Sequence, residues 1–538
     1  MAKGYLPVDR DQPFLLPPDM REWLPASHPV WLVIEAVARL DTSAFHARRR
    51  TGGAGAAGYD PDMLVALLVW AYANGVTSSR RIERLCGQDV AFRVICAGRV
   101  PDHATVARFR QQFADAAAGL FAQVLLLCAR LGMGQVGVVA LDGTKVAGNA
   151  SLGANRTEDK LRKLAGELAA AHAEKDAAED ALFGKDGHGD DDPGDPFTRQ
   201  ERVAAALASL EAERAAREAA ERDRAGQAAR TAEAVRAGAP VTGPRAGSEV
   251  ALAEARLARE RAEYQAKAAE READAAAGRP RSGPPPVPVE DYCRVRRAKQ
   301  ALEKARAREA ARAQRAAGAG KRDGGKKGKE PARRNVTDPG SRLMPVRGGG
   351  FVQGYNAQNV ASEDGLVIAT RLTQDTTDVR WYQEMVRQAQ DAAAAMAAAS
   401  GGKAGGEIGL VLADAGYLSE ANLAVPGPDR LIATGKHRSL REAAAGNGPA
   451  GTAQGEGAAA AMAARLATEE GTAAYRRRCH IGETFHGDLK HNQGIRRLAL
   501  RGMRRASGEW TFITAVRNLR KAITSGHLTT QSLAALAG

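Results

Sequence analysis

Apolar positions in the first 135 residues recur at helical spacing. Behind Asp60-Pro61, the residues Met63, Leu64, Leu67, Leu68 and Ala71 return every three or four positions, which predicts a helix with one buried face. Ser78, Ser79 and Arg80 introduce a second helix carrying Ile82 and Leu85. Pro101-Asp102-His103-Ala104-Thr105 reads as a turn and cap before Val106, Phe109 and Phe113. Residues 119–131 are apolar, too short to cross a bilayer, and read as a buried helix. The period then changes: residues 136–141 form a nearly continuous apolar run suited to a buried strand, ended by Asp142-Gly143.

Between 157 and 334 the apolar stripes thin out to alanine. Leu161, Leu164 and Leu168 are spaced i, i+3, i+7, and Val203, Leu207 and Leu210 are spaced i, i+4, i+7. Thr198 with Glu201 fits a capping box. Gly/Pro/Asp-rich breaks at 184–196, 237–247, 278–288 and 317–334 separate these stretches, which read as long exposed helices or weak coiled coils inserted into another domain. The last break is a basic tail (Lys321, Arg322, Lys326, Lys327, Lys329), expected to be disordered and to touch phosphates without sequence preference.

Strand patterning resumes near Gly350. Residues 351–360 and 366–372 read as adjacent strands joined by a turn at Ser362-Glu-Asp-Gly365. Asp378 is expected to cap a helix running to Met396. Residues 408–412 form a strand ending at Asp414, and residues 430–434 form another. Residues 442–465 read as a loose loop, and 483–525 as helical and basic. The predicted fold class is therefore an α/β core with a mixed sheet, an all-helical N-terminal domain and a long helical, partly disordered insertion. The expected boundaries are 1–135 for a helical DNA-binding domain, 136–156 for the start of the core, 157–334 for the insertion, 335–525 for the rest of the core with its basic helices, and 526–538 for a tail.

Composition narrows the function classes. A formal net charge of +14 over 538 residues points to a polyanionic partner. The five cysteines are scattered without a CxxC pair, which argues against a disulfide framework or a structural zinc site. The N-terminus lacks the pattern of a signal peptide, and no apolar run is long enough to span a membrane, so a cytoplasmic, nucleoid-associated protein is expected. No GxxxxGK[ST] or Rossmann glycine pattern supports a nucleotide cofactor. Arg80, Arg81, Arg84, Arg108 and Arg110 are expected on the outside of the N-terminal helices, either as a helix-turn-helix-like DNA-binding face or as the solvated face of a plain bundle.

The candidate chemistry lies in three carboxylates. Asp142 and Asp414 each end an apolar strand, where a side chain leaves the core for a crevice. Glu483 falls on an expected helix, and Lys490, two turns on, shares its face and is placed to hold a phosphate. A few carboxylates are what a protein needs to hold two Mg²⁺ ions against a phosphodiester. Taken singly, each Asp-Gly or Asp-Ala-Gly also reads as an ordinary turn. His480, His486 and His491 with Cys479 fit no zinc spacing and read as solvated or phosphate-facing.

In their joint order these segments resemble a DDE-type transposase of a bacterial insertion sequence, a group with an Asp-Asp-Glu triad on an RNase H-like core. Tyr59-Asp-Pro-Asp-Met, Ala73-Asn-Gly-Val-Thr and Pro101-Asp-His-Ala-Thr resemble its N-terminal region. Asp142-Gly-Thr-Lys, Thr337-Asp-Pro-Gly-Ser, Gly354-Tyr-Asn-Ala-Gln and Ala413-Asp-Ala-Gly-Tyr resemble its core. Residues 475–490 are similar to its Tyr-Arg-Glu-Lys signature, and Gly508-Glu-Trp-Thr with Asn518-Leu-Arg-Lys to the helix beyond. The resemblance implies Asp142, Asp414 and Glu483 as metal-binding catalytic residues, with Mg²⁺ as cofactor and Mn²⁺ able to substitute. It further implies Lys490, Tyr475 and Arg478 as DNA contacts, with Arg496, Arg497 and Arg501 on backbone phosphate. The partners would be transposon ends and target DNA, bound by a homodimer or larger assembly. The alternatives are an inactive or domesticated DNA-binding relative and an RNase H-like nuclease. Two departures stand out: Arg478 and Glu483 are one residue further apart than in the commonest signature, and the usual Phe-Gly pair is split as Phe485-His486-Gly487.

Overall fold

The computed structural model describes residues 19–47, 58–111, 113–183, 198–237, 249–279, 286–318, 332–346, 349–435 and 457–536. The basic tail at 321–329 and most of the loop expected at 442–465 lie outside these residues. The chain divides into two compact units, one made of 1–156, 164–206 and 334–538, the other of 157–163 and 207–333.

The first unit is built on a mixed sheet. Its strands are β1 (Val138–Ala147), β4 (Arg342–Pro345), β5 (Phe351–Ser362), β6 (Val367–Thr373), β7 (Leu410–Ala413) and β8 (Asp429–Ile432), in the order β4-β5-β1-β7-β8 with β6 also on β5. Asn155–Thr157 (β2) and Arg333–Asn335 (β3) form a separate two-stranded ribbon. β1, β4 and β6 all run antiparallel to β5, whereas β7 is parallel to β1 and β8 to β7. The turn expected at 362–365 joins β5 to β6, with Gly365 at φ +84°.

Helices cover this sheet, and their starts follow the sequence. The Asp60 carboxylate accepts from the backbone N–H groups of Asp62 and Met63 and opens Pro61–Ala73; Asp102 accepts from Thr105 N and opens His103–Gln111. The capping box forms as expected, with Thr198 N donating to Glu201 and Glu201 N to the Thr198 hydroxyl.

Other expectations are corrected. Pro61–Ala73 buries Val65, Ala66, Val69 and Tyr72 as well as Leu64, Leu67, Leu68 and Ala71 of its predicted stripe, with Met63 partly buried, because it is apolar nearly all round. A single buried cluster runs from Val30 to Leu533, so the N-terminal helices share their core with the C-terminal helix Met503–Thr524 and no boundary falls at 135. Part of the supposed loop is the helix Ala458–Ala467, whose Met462 and Leu466 are buried. The stretch 483–525 is less of a basic surface than its charge suggests. Arg517 is buried and lies 3.7 Å from Asp488, which also accepts from Arg520 at 3.0 Å.

In the second unit, the helices Glu249–Ala276 and Cys293–Gly318 pack through Ala253, Leu257, Val295, Leu302 and Ala305. Tyr264 and Tyr292 stack with ring centroids 4.3 Å apart. This thin core follows directly from the sparse apolar stripe. No single described helix is long and apolar enough to cross a membrane.

Candidate active site

Strand pairing brings the two aspartates side by side. Leu141 of β1 lies opposite Ala413 of β7 in a parallel pair, so Asp142 and Asp414 take the next position on each chain. There β7 ends. β1 does not stop at Asp142-Gly143, as expected from sequence, but continues along β5 to Ala147. The partner on one side therefore departs at the aspartates, which opens a crevice. A cavity of about 1000 Å³ lies at this point and contains Asp142, Asp414, Tyr475, Arg478, Glu483, His486 and Lys490 in its walls.

The other wall is a helix of unusual winding. Glu469–Arg478 is α-helical, Cys479–Glu483 a π-helical turn, Thr484–Gly487 α-helical, and Asp488–Asn492 a second π-helical turn. A π turn closes over one residue more than an α turn. The extra residue between Arg478 and Glu483 is thus absorbed locally, and both side chains still reach the cavity. Gly482 sits against β1, where a Cβ would stand 3.5 Å from that of Asp142.

Burial shapes the electrostatics. Asp142 is only 14 % exposed, and desolvation pushes its carboxyl up to about 7, against the opposing pull of Arg478 and with help from Asp414 and Glu483. Arg478 bridges two of the carboxylates, with Nη1 3.5 Å from Asp142 Oδ1 and Nη2 3.5 Å from Glu483 Oε1. Its Nε and Nη1 have no hydrogen-bond partner. Tyr475 lies under the Arg478 guanidinium and donates its hydroxyl to Ala413 O at 3.2 Å. Lys490 Nζ donates to Thr144 Oγ1 and Lys145 O, and burial lowers its pKa.

His486 is not a solvated residue. It is 12 % exposed, its Nε2 lies 3.5 Å from Asp142 Oδ2, and neither ring nitrogen has a hydrogen-bond partner. Burial, then Lys490, Arg517 and Arg478, push it down to about 3, so the ring is neutral.

Asp378 does not cap a helix either. Its Oδ1 accepts from Asn356 Nδ2 and Gln358 Nε2, both at 2.6 Å, and lies 3.8 Å from Lys145 Nζ. Gly143 makes room for it: a Cβ there would lie 2.7 Å from Asp378 Oδ1, so close approach rather than a turn requires this glycine. The signal was present in Gly354-Tyr-Asn-Ala-Gln, where Asn356 and Gln358 put two amides on one face of an otherwise buried strand. Another unforeseen residue is Glu509. Buried at 1 %, it accepts from Tyr72 OH at 2.8 Å and from the backbone N–H groups of Ala499 and Leu500.

Arg80, Arg81, Arg108, Arg496, Arg497 and Arg501 are exposed. The last three belong to a segment pinned to the end of β1, where Leu498 N donates to Ala147 O at 2.8 Å and Arg501 Nε to Asn149 O at 3.1 Å. Arg110 is the correction: it is 7 % exposed and donates to Thr77 O and Tyr72 OH.

The residues present fit a divalent cation. Three carboxylates converge on one cavity, desolvation holds the carboxyl of Asp142 up at about 7, and an imidazole without a hydrogen bond stands beside it. Among the described residues, the oxygens of Asp142, Asp414 and Glu483 do not gather to within 4.8 Å of one another, and Arg478 bridges two of them.

Comparison with known families agrees at both ends of the chain. Residues 18–112 match a family described as a transposase domain (DUF772), and residues 450–523 match one described as a transposase DDE domain. Both matches support a transposase. More particularly, the pair supports a DDE-type insertion-sequence transposase, a family that generally uses a divalent metal. No curated protein and no solved structure matches the chain.

Proposed function

We propose that this protein cuts DNA at the ends of its own mobile element and joins the freed strand to target DNA. The observation that carries the reading is the shared cavity of Asp142, Asp414 and Glu483, with Arg478 and Lys490 beside them. The mixed sheet, with its two aspartates at adjacent positions of a parallel pair, supports an RNase H-like core.

Asp142, Asp414 and Glu483 would hold Mg²⁺, or Mn²⁺ in its place. When bound, the metal supplies Lewis-acid stabilisation of the phosphate and a more acidic attacking water. The chain's own residues do the rest. The Lys490 ammonium, fixed by Thr144 and Lys145 O, anchors a backbone phosphate near the cut. Arg478 offers its unpartnered N–H groups to oxygens of the scissile phosphate as charge develops there. Tyr475 holds the Arg478 guanidinium against β7. Water, and then a DNA 3′-hydroxyl, attacks in line at phosphorus, and the bond to the departing 3′-oxygen breaks. Arg496, Arg497 and Arg501, with Arg80, Arg81 and Arg108, grip phosphates further out. Joining two ends calls for at least a homodimer.

The test is cleavage of DNA carrying the gene's own flanks, with Mg²⁺, Mn²⁺ or EDTA, by wild type and Glu483→Gln. Metal-dependent nicking at the element ends, lost in the variant while DNA binding persists, is expected. Nicking that survives in Glu483→Gln, or binding without cleavage by the wild type, would overturn it.

A further inference from the structure

The imidazole of His486 has no part in the triad or the phosphate grip, yet it lines the cavity and is only 12 % exposed. Leaving buried polar nitrogens without hydrogen-bond partners is unfavourable, so the ring's position calls for a partner. Asp142 Oδ2 lies 3.5 Å from its Nε2, and no hydrogen bond forms between them. A charge-assisted bond would be about 2.7–2.9 Å and aligned. Two neighbouring ligands on an octahedral ion with bonds of about 2.1 Å stand about 3 Å apart, which a small rotation of either side chain achieves. Phe485 packs against the ring edge, with centroids 4.9 Å apart, and limits its swing. The residue is also the one that splits the Phe-Gly pair of the signature, in the short α-helical turn between the two π turns.

We propose that His486 is a nitrogen ligand of the divalent-metal centre formed with Asp142, Asp414 and Glu483, and that it makes this centre select Mn²⁺ over Mg²⁺. The inference rests on the transposase reading of the same cavity. Magnesium takes oxygen ligands almost exclusively, whereas imidazole suits the transition metals, so one nitrogen at the centre shifts preference without altering the carboxylates. Asp142 and His486 together then form a mixed nitrogen–oxygen pair on one ion.

The experiment is Mn²⁺ titration of the full chain followed by pulsed electron paramagnetic resonance, with ¹⁴N-histidine and with ¹⁵N-histidine label. Expected are a nitrogen coupling that changes isotope with the label, its loss in His486→Gln, and Mn²⁺ binding at least tenfold tighter than Mg²⁺ in wild type. In His486→Gln the Mn²⁺ affinity should fall by about 10–100-fold, with Mg²⁺ affinity little changed. The isotope arm needs no variant, so a folding defect in His486→Gln does not blunt the test. Mn²⁺ bound through Asp142 and Glu483 with no histidine coupling would overturn the proposal and leave the transposase reading standing. Absence of Mn²⁺ and Mg²⁺ binding would overturn both.

Discussion

Asp142 is predicted to destabilise the protein it serves. Its carboxyl stands at about 7 instead of the ordinary 3.8, a displacement worth about 4 kcal/mol at 1.36 kcal/mol per unit. The sign follows from proton counts. Between 3.8 and 7 the unfolded chain has released this proton while the folded one keeps it, so stability falls as pH rises and the penalty is complete above 7. At pH 5 only about 1.5–2 kcal/mol of it has accrued. Asp142→Asn keeps the shape and the acceptor for Gly143 N but carries no charge. Some desolvation cost remains for the amide, so a gain of about 2–4 kcal/mol is expected at pH 8, and less at pH 5. Thermal melting in EDTA at both pH values reads this as a rise of several degrees at pH 8 that shrinks at pH 5. Adding Mn²⁺ should stabilise the wild type and not the variant, because the cation provides the missing charge. A variant that melts at or below the wild type at pH 8 would refute the reasoning.

Four further outcomes are expected. Arg110→Ala should lower stability by about 1–3 kcal/mol by leaving Thr77 O and the buried Tyr72 hydroxyl without their donor, while Arg108→Ala should leave stability unchanged and reduce the salt slope of DNA binding by about one; melting curves and salt titrations separate the two. Gly143→Ala should cost about 1–3 kcal/mol, seen by denaturant unfolding, because the new methyl meets Asp378 at 2.7 Å. Gly75→Ala should be worse, since φ is +71° and a Cβ would lie 1.9 Å from Gln493 O; failure to fold on expression is the readout. His486, held near 3 against 6.5 unfolded, makes the fold lose stability as pH falls below about 6.5, so His486→Gln should shift acid unfolding to lower pH.

Much of the site was readable because it depends on local pattern. Asp142 and Asp414 follow strand-like apolar runs, and Asp60, Asp102 and Thr198 cap helices as their spacing predicts. What escaped depends on partners distant in sequence. Asp378 looks like a cap until Asn356, Gln358 and Gly143 are brought next to it by β-strand pairing. Arg110 looks like a surface charge until Tyr72 and Glu509, 437 residues apart, meet beside it. His486 looks solvated while its helix is read at 3.6 residues per turn, and the π turn at Cys479–Glu483 alters that rotation. A shared core between the first and last thirds of the chain leaves no compositional mark at residue 135.

That shared core has a consequence for biosynthesis. Tyr72 and Glu509 hydrogen-bond across 437 residues, and at about 5–20 residues per second a ribosome needs roughly 20–90 seconds to make the chain between them. Throughout that interval Pro61–Ala73, apolar on nearly every side, has no C-terminal helix to cover it. The nascent chain is then at its most prone to aggregation, and a holdase that binds short apolar helices should control the yield of active protein. The charged helices at 199–236 and 249–276, translated during the wait, lend solubility to a chain whose core cannot yet close.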